Sequence, residues 1–388
     1  MNHEKGKRTL YLLDDPSKDK HVHRYVLQGL VDKGFAPTIG YFYGDAASST
    51  MANDKIPAFS LGLQKGQFKG LSLGSVSRLR SIIKREGFSV VHCQRHRPMA
   101  HAALALSGLK DTRLLYTVRS TNVLRNLQRR LLFRFVESKL FKVIGVSMAV
   151  RDYMLDKAPY LSRQKTVVIH NGVDVDAFDL DISKEAARRF LGIPETGFTF
   201  GIVARLKKAK CHDVLIRAFS KVVEHFPETN LAIVGDGPLE DGLKALVDEL
   251  GLSKNVFFTG RVAYDEVATA MKAFDCFVHP SFREGLPVAV LEAMASSLPV
   301  ITTAADGIID IFKLWEAKGQ EGIIGRMLPP RDVDSLGKAM LEFRAMEPER
   351  LQRIGNSARE HVASDFSRQR MVDSTVRVYE EAVSSLDS

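Results

Sequence analysis

Residues 276–302 read CFVHPSFREGLPVAVLEAMASSLPVIT. Cys276–His279 is a short apolar run closed by Pro280, and Pro299–Thr302 is another, each with the length and composition of a buried strand. Between them Gly285 permits a tight approach, Pro287 suits a first helical position, and an apolar stretch follows. Strand, helix and strand in that order are the unit from which parallel sheets are wound. Two glutamates stand out in it. Glu284 lies in the Gly/Pro-flanked loop and Glu292 inside the apolar run, where a purely structural helix more often keeps carboxylates away.

The same alternation continues in both directions. Upstream in the second half, Phe198–Val203, Asn230–Val234 and Val256–Thr259 read as strands, with amphipathic stretches at Val214–His225 and Leu239–Leu250. The first half offers Thr9–Leu13, Ser89–His92, Arg113–Val118, Val143–Val146 and Thr166–Ile169, with an amphipathic Ser75–Glu86. Two sets of about five strands predict an α/β protein of two doubly wound domains, with ligands at the carboxyl ends of the strands. The Asp-rich segment from Asp174 to about Glu195 reads as the linker. Repeats and low-complexity tracts are absent from the sequence.

Composition narrows the function. A hydrophobic share of 45% over 388 residues supports two real cores. Cys93, Cys211 and Cys276 are far apart, which fits a reducing compartment and neither a disulfide framework nor a zinc site. The amino terminus has a basic start but only a five-residue apolar run before Asp14 and Asp15, too short for a secretory signal. No apolar run reaches the length of a membrane span. The expectation is a cytoplasmic protein, at most peripheral on the inner face of the cell membrane.

The net charge of +9 is concentrated, for residues 51–150 hold 18 Lys/Arg against 4 Asp/Glu. Such a half suits an anionic partner: phosphorylated glycan, lipid headgroups or, least well, nucleic acid, since no nucleic-acid module is visible. Val123–Lys142 is basic and amphipathic; it reads either as an ordinary helix packed on the first sheet or as one resting on an anionic membrane. His92, His96 and His101 follow a strand without a nearby carboxylate ligand, which favours a polar acceptor-side loop over a metal cluster.

Glu284 lies ahead of a helix start whose free N–H groups favour a phosphate, and Glu292 about five residues inside it, an offset of roughly 7.5 Å along the axis. An ionised carboxylate accepts two hydroxyls of a vicinal diol, so one glutamate suits a transferred sugar and the other a ribose. Arg205 and Lys210 follow a predicted strand in GIVARLKKAK and can neutralise a departing diphosphate, although a basic loop of this kind is as often merely solvated. Gly235 in IVGDGP, and Gly260, Arg261 and Val262 in FTGRV, mark two further strand ends and are candidate walls for a nucleotide base. Gly235-Asp236-Gly237 lacks the third glycine of a dinucleotide fingerprint, and Asp174-Val175-Asp176 reads as junction chemistry rather than a metal-binding D-x-D.

Taken in order, these motifs resemble a retaining glycosyltransferase of family 4 with the GT-B fold of two Rossmann-like domains facing across a cleft. The E-x7-E of Glu284 and Glu292 is the strongest element. Arg205 and Lys210 as R-x4-K, His170–Asp174, Val146-Ser147, Gly325 with Leu328–Asp332, and Phe366-Ser367 with Tyr379 complete it. The resemblance implies an acceptor domain at 1–178, a donor domain at 179–365, and a tail at about 366–388 that packs back on the first domain. It implies a nucleotide-diphosphate sugar, usually UDP-linked, as donor, retention of configuration, and no metal or cofactor. Arg205 and Lys210 would stabilise the diphosphate. Glu284, with the backbone of Gly285 and Leu286, would contact the sugar, Glu292 the ribose, and the residues after Gly260 the base. Asp14, Arg97 and Arg119 are the acceptor-side candidates. Where relatives carry a glycine-rich loop this chain has Asp14–Lys20, and where they often carry a histidine it has Arg119. A surface glycan such as lipopolysaccharide core is the expected acceptor. The alternatives are a sugar-nucleotide epimerase on the same scaffold and a degenerate transferase acting as a binding subunit.

Overall fold

The computed structural model describes residues 7–66, 70–319 and 323–386. The start of the basic amino-terminal stretch and the last residues of the tail lie outside them. The chain divides into two compact units, Met1–Asn171 with Arg368–Ser388, and Gly172–Ser367.

In the first unit the described strands are β1 (Arg8–Leu13), β2 (Ala36–Tyr43), β3 (Ala58–Leu63), β4 (Val90–Cys93), β5 (Arg113–Val118), β6 (Leu140–Gly145) and β7 (Thr166–Val168). They form one parallel sheet in the order β3-β2-β1-β4-β5-β6-β7. The second unit holds β8 (Thr199–Val203), β9 (Asn230–Val234), β10 (Val256–Gly260), β11 (Cys276–His279), β12 (Val300–Thr303) and β13 (Gly325–Leu328). These are also parallel, in the order β10-β9-β8-β11-β12-β13. Both are Rossmann-like sheets with helical crossovers, as the alternation predicts. Three strands escape the sequence reading for a common reason. β2 carries Pro37 and Gly40, β3 carries Gly62, and the four-residue β13 starts at Gly325, so each looks punctuated where it is continuous.

Covering on both faces explains the runs: all four residues of β4 and of β11 are buried. His92 and His279 are therefore carried into the cores and must find polar partners there.

The segment read as linker is instead fastened to the second unit. Its helix Lys184–Leu191 is capped by the Ser183 side chain and ended by Gly192 at φ +66°. Phe178, Ala187 and Leu191 are buried, and Arg188 Nη2 donates to Asp275 Oδ2 at 2.7 Å. The Asp-rich composition had masked this apolar spacing. Within the second unit, Val173 N–H donates to Phe366 O at 2.9 Å and Val173 pairs with Ser367, so the chain enters and leaves this unit at neighbouring points. The last helix, Arg368–Ser384, crosses the helix His21–Asp32 of the first unit. Gly29 permits that approach, since a Cβ there would stand 2.1 Å from Val372 Cγ1.

Candidate functional site

The strand order of the second sheet reverses at β8, which has β9 on one side and β11 on the other. At such a point neighbouring loops diverge and leave room for a ligand. The loop after β8 carries Arg205 and Lys210, and the loop after β11 carries Glu284. Across the divide the Lys210 ammonium contacts Glu284 Oε1. The same oxygen lies 3.0 Å from His279 Nε2, which also lies 3.0 Å from Ser281 Oγ. Glu284 N–H donates to Asp306 Oδ2 at 3.3 Å, and Gly307 N–H returns to Glu284 O at 3.3 Å. Asp306 has φ +36°, a left-handed conformation that a non-glycine residue adopts at a cost and that clusters at functional sites.

Burial by itself would raise the Glu284 carboxyl; the His279 hydrogen bond and the Lys210 charge overcome it and bring it down to about 2. Glu284 is an anion throughout the physiological range. His279, fully buried and stacked on Phe277, is held below its usual range by burial and then by the Lys210 charge, so it is neutral. A neutral ring faces the carboxylate with its Nε2–H, leaving Nδ1 buried without a partner among the described residues.

Backbone contacts tie three strand ends together. Ala204 N–H donates to Val234 O at 3.0 Å, Leu206 N–H to Asp236 O at 2.8 Å, and Gly235 N–H to Gly260 O at 2.8 Å. Gly235, at φ +141°, could carry no side chain, because a Cβ would stand 2.1 Å from Ala204 O. Its visible role is this close approach beneath the Arg205 loop. Arg205 is exposed at the end of β8; Arg261 is exposed and Val262 half-buried beyond β10, while Gly285 and Leu286 are buried. The helix starts at Val288 with Pro287 as its cap, one residue later than the sequence reading placed it. Glu292 is buried within that helix and turns to the Tyr264 side chain. Burial pushes its carboxyl up to about 7, and the Tyr264 hydrogen bond only partly offsets this. Thus Lys210 and Glu284 meet, Arg205 shares the Lys210 loop, and Glu292 faces Tyr264 on the β10 side. The sequence reading missed His279, Asp306 and Tyr264; the position of His279 as last residue of a buried strand was the available signal.

In the first unit a cavity of about 470 Å³ is lined by Asp14, Lys20, Arg95, Arg97, Arg119 and Arg129, among others. All three acceptor-side candidates therefore converge. Asp14 is the one carboxylate among the described lining residues, 3.5 Å from Arg95 Nε, and burial raises it despite that cation. Arg119 donates to Asn171 Oδ1 at 2.8 Å and to Gln94 Oε1 at 3.0 Å, both neutral. Behind it, Tyr11 OH meets His23 Nδ1 at 2.6 Å, and His92 bridges Thr117 Oγ1 at 2.7 Å and Tyr379 OH at 2.8 Å. Burial, and then the Arg119 charge, bring His92 down to about 3, so this network is neutral around one guanidinium. His92 is inside β4, so the three histidines do not share a loop. His96, at the cavity wall, has both ring nitrogens without partners among the described residues.

Residues 22–177 match Glycosyltransferase Family 4 and residues 183–361 match Glycosyl transferases group 1. The D-inositol 3-phosphate glycosyltransferase of Corynebacterium jeikeium is 32% identical over 224 residues, 55% of this chain and 51% of that protein. The chain thus spans about half the length of that curated relative. Anabaena HepE in complex with UDP superposes with a TM-score of 0.81 at 19% identity, over 96% of this chain and 100% of that one. WaaG, a glycosyltransferase involved in lipopolysaccharide biosynthesis, does so with a TM-score of 0.72 at 16% identity, over 95% and 99%. At these identities the likeness to solved structures is one of fold, and the fold is GT-B.

Proposed function

We infer that this chain, which carries a Glycosyltransferase Family 4 domain followed by a Glycosyl transferases group 1 domain, moves a sugar from a nucleotide diphosphate to a hydroxyl of an anionic acceptor. The observation that carries the reading is the Lys210–Glu284 contact at the switch point between β8 and β11. Without donor, the ammonium is held by Glu284. With donor, Lys210 and the exposed Arg205 meet the diphosphate, whose charge grows as the bond to the anomeric carbon breaks. Glu284 then accepts hydroxyls of the transferred sugar and Glu292 those of the ribose. Two cations at the strand ends support departure without metal, and retention of configuration is part of the same assignment.

A UDP-linked sugar is the first donor to test, because HepE, on the same fold, is in complex with UDP. The acceptor class follows from the first unit, where an Arg119 among neutral partners stands in a cavity of five cations and one carboxylate. A phosphorylated glycan such as lipopolysaccharide core fits that charge, and WaaG, on the same fold, is involved in lipopolysaccharide biosynthesis. The test is release of UDP from UDP-sugars with and without phosphorylated glycan acceptor. Lys210→Ala should lower turnover by roughly 10²–10³-fold, the loss typical of removing a group that stabilises charge in the transition state. Unchanged turnover in that variant refutes the assignment, and sugar conversion without acceptor or UDP release identifies an epimerase.

A further inference from the structure

The helix Leu127–Val136, LQRRLLFRFV, is started by Asn126, whose side chain accepts from Arg129 N–H at 3.1 Å. It buries Phe133 and Val136. Its other face is apolar too. Leu127, Leu131 and Phe135, spaced by four, are 69%, 49% and 81% exposed, so they form one ridge in solvent. Leu71 and Leu73 are 47% and 84% exposed, and Leu71 lines a cavity of about 330 Å³ together with Gln128 and Leu132. Three of the eight exposed large apolar side chains among the described residues therefore lie in one row on this helix, beside the cavity that Leu71 lines. Isolated exposed leucines are ordinary, but a contiguous set marks a contact surface.

Charge identifies the occupant. Arg125, Arg129, Arg130, Arg134 and Lys139 accompany the ridge against a single acid, Glu137, which is already paired with Lys165 at 3.1 Å. Arg125 and Arg134 are exposed, and the Arg134 guanidinium lies 5.1 Å from the Tyr160 ring centre, which holds it beside the ridge. A second copy of this chain would bring two strongly basic surfaces together. An anionic bilayer accepts the apolar ridge below its headgroups and pairs the arginines with them. We propose that the first unit docks on an anionic lipid surface through the Leu127–Leu131–Phe135 ridge and its flanking arginines. Arg97 and Arg129 line both the cavity beside the ridge and the basic cavity around Arg119, so a lipid-borne phosphorylated acceptor is presented from the docked surface. Among the described residues no helix is long and apolar enough to cross a membrane, so the contact is peripheral.

The test is sedimentation of the full chain with vesicles of about three parts phosphatidylcholine to one part phosphatidylglycerol, against phosphatidylcholine alone, without any sugar donor. The expected result is binding to the anionic vesicles only, weakened by salt. The triple variant Leu127→Ser, Leu131→Ser, Phe135→Ser should lose at least about tenfold in partition while keeping its melting temperature, because these side chains are exposed. Arg125→Gln with Arg134→Gln should weaken binding and reduce its salt dependence. Wild-type protein that ignores anionic vesicles, a triple variant that binds undiminished, or a ridge that proves to hold a salt-resistant dimer in analytical ultracentrifugation each overturns the proposal. Since no donor is present, failure here leaves the transferase reading standing, and loss of turnover in Lys210→Ala leaves this one untouched.

Discussion

Replacing Glu292 with glutamine isolates the cost of keeping an ionised carboxylate inside the second unit. The side chain is 5% exposed, and burial moves its carboxyl from the usual 4.5 up to about 7. A tenfold change in proton affinity is about 1.4 kcal/mol, so the ionised form is disfavoured in the fold by about 3 kcal/mol. A folded-state value raised above the unfolded one gives stability that is complete below 4.5 and disappears as pH rises through about 7. Glutamine has the same shape, carries no charge, and can still accept from Tyr264. At pH 4, where the side chain is uncharged in both proteins, the variant should be the less stable by about 1 kcal/mol, the cost of a buried amide N–H without a partner. At pH 8 the variant should be the more stable by about 2 kcal/mol, allowing about 1 kcal/mol for a buried amide N–H that lacks a partner. That corresponds to roughly 4–8 °C in the melting temperature of a unit this size. Calorimetry across pH 4–8 reads the difference directly. The bound nucleotide supplies a second readout: ribose hydroxyls favour the ionised carboxylate, so UDP-glucose, which has no phosphate titrating near neutrality, should bind the wild type more tightly at pH 8 than at pH 6. An equal gain at both pH values, or none at either, refutes the reasoning about Glu292.

Gly235→Ala should lose about 2–4 kcal/mol, because the new Cβ would meet Ala204 O at 2.1 Å and φ +141° is unavailable to alanine without strain; thermal melts and donor affinity should fall together as the Arg205 loop shifts. Arg119→Gln should leave the melting temperature of the first unit nearly unchanged, because the guanidinium has neutral partners and no carboxylate is left unpaired; initial rates should show the KM for a phosphorylated acceptor raised by about tenfold with the donor KM unmoved.

Much of this protein is local information and was therefore readable from its residues. Ten of the strand runs show as apolar stretches because a parallel strand covered on both faces has no polar side to hide it. Loop residues at strand ends, Arg205, Lys210, Gly235 and Glu284, stand next to those runs in the chain, so the placement of chemistry at the carboxyl ends followed. β2, β3 and β13 did not show, since a proline or glycine within a strand is indistinguishable in sequence from a turn until its neighbours are known.

What the chain order withholds is which strand ends adjoin. Only the pairing of β11 with β8 brings Glu284 to Lys210 across 74 residues, and only the packed core shows His279 behind that carboxylate. Asp14, Arg97 and Arg119 come from three separate strand ends and acquire a common meaning in the cavity that joins them. The helix Leu127–Val136 shows the limit most clearly: its residues are apolar on two faces, and periodicity cannot say which face the sheet will take. Propensity and pattern act between residues close in sequence, whereas adjacency, burial and charge neutralisation are set by packing between residues far apart.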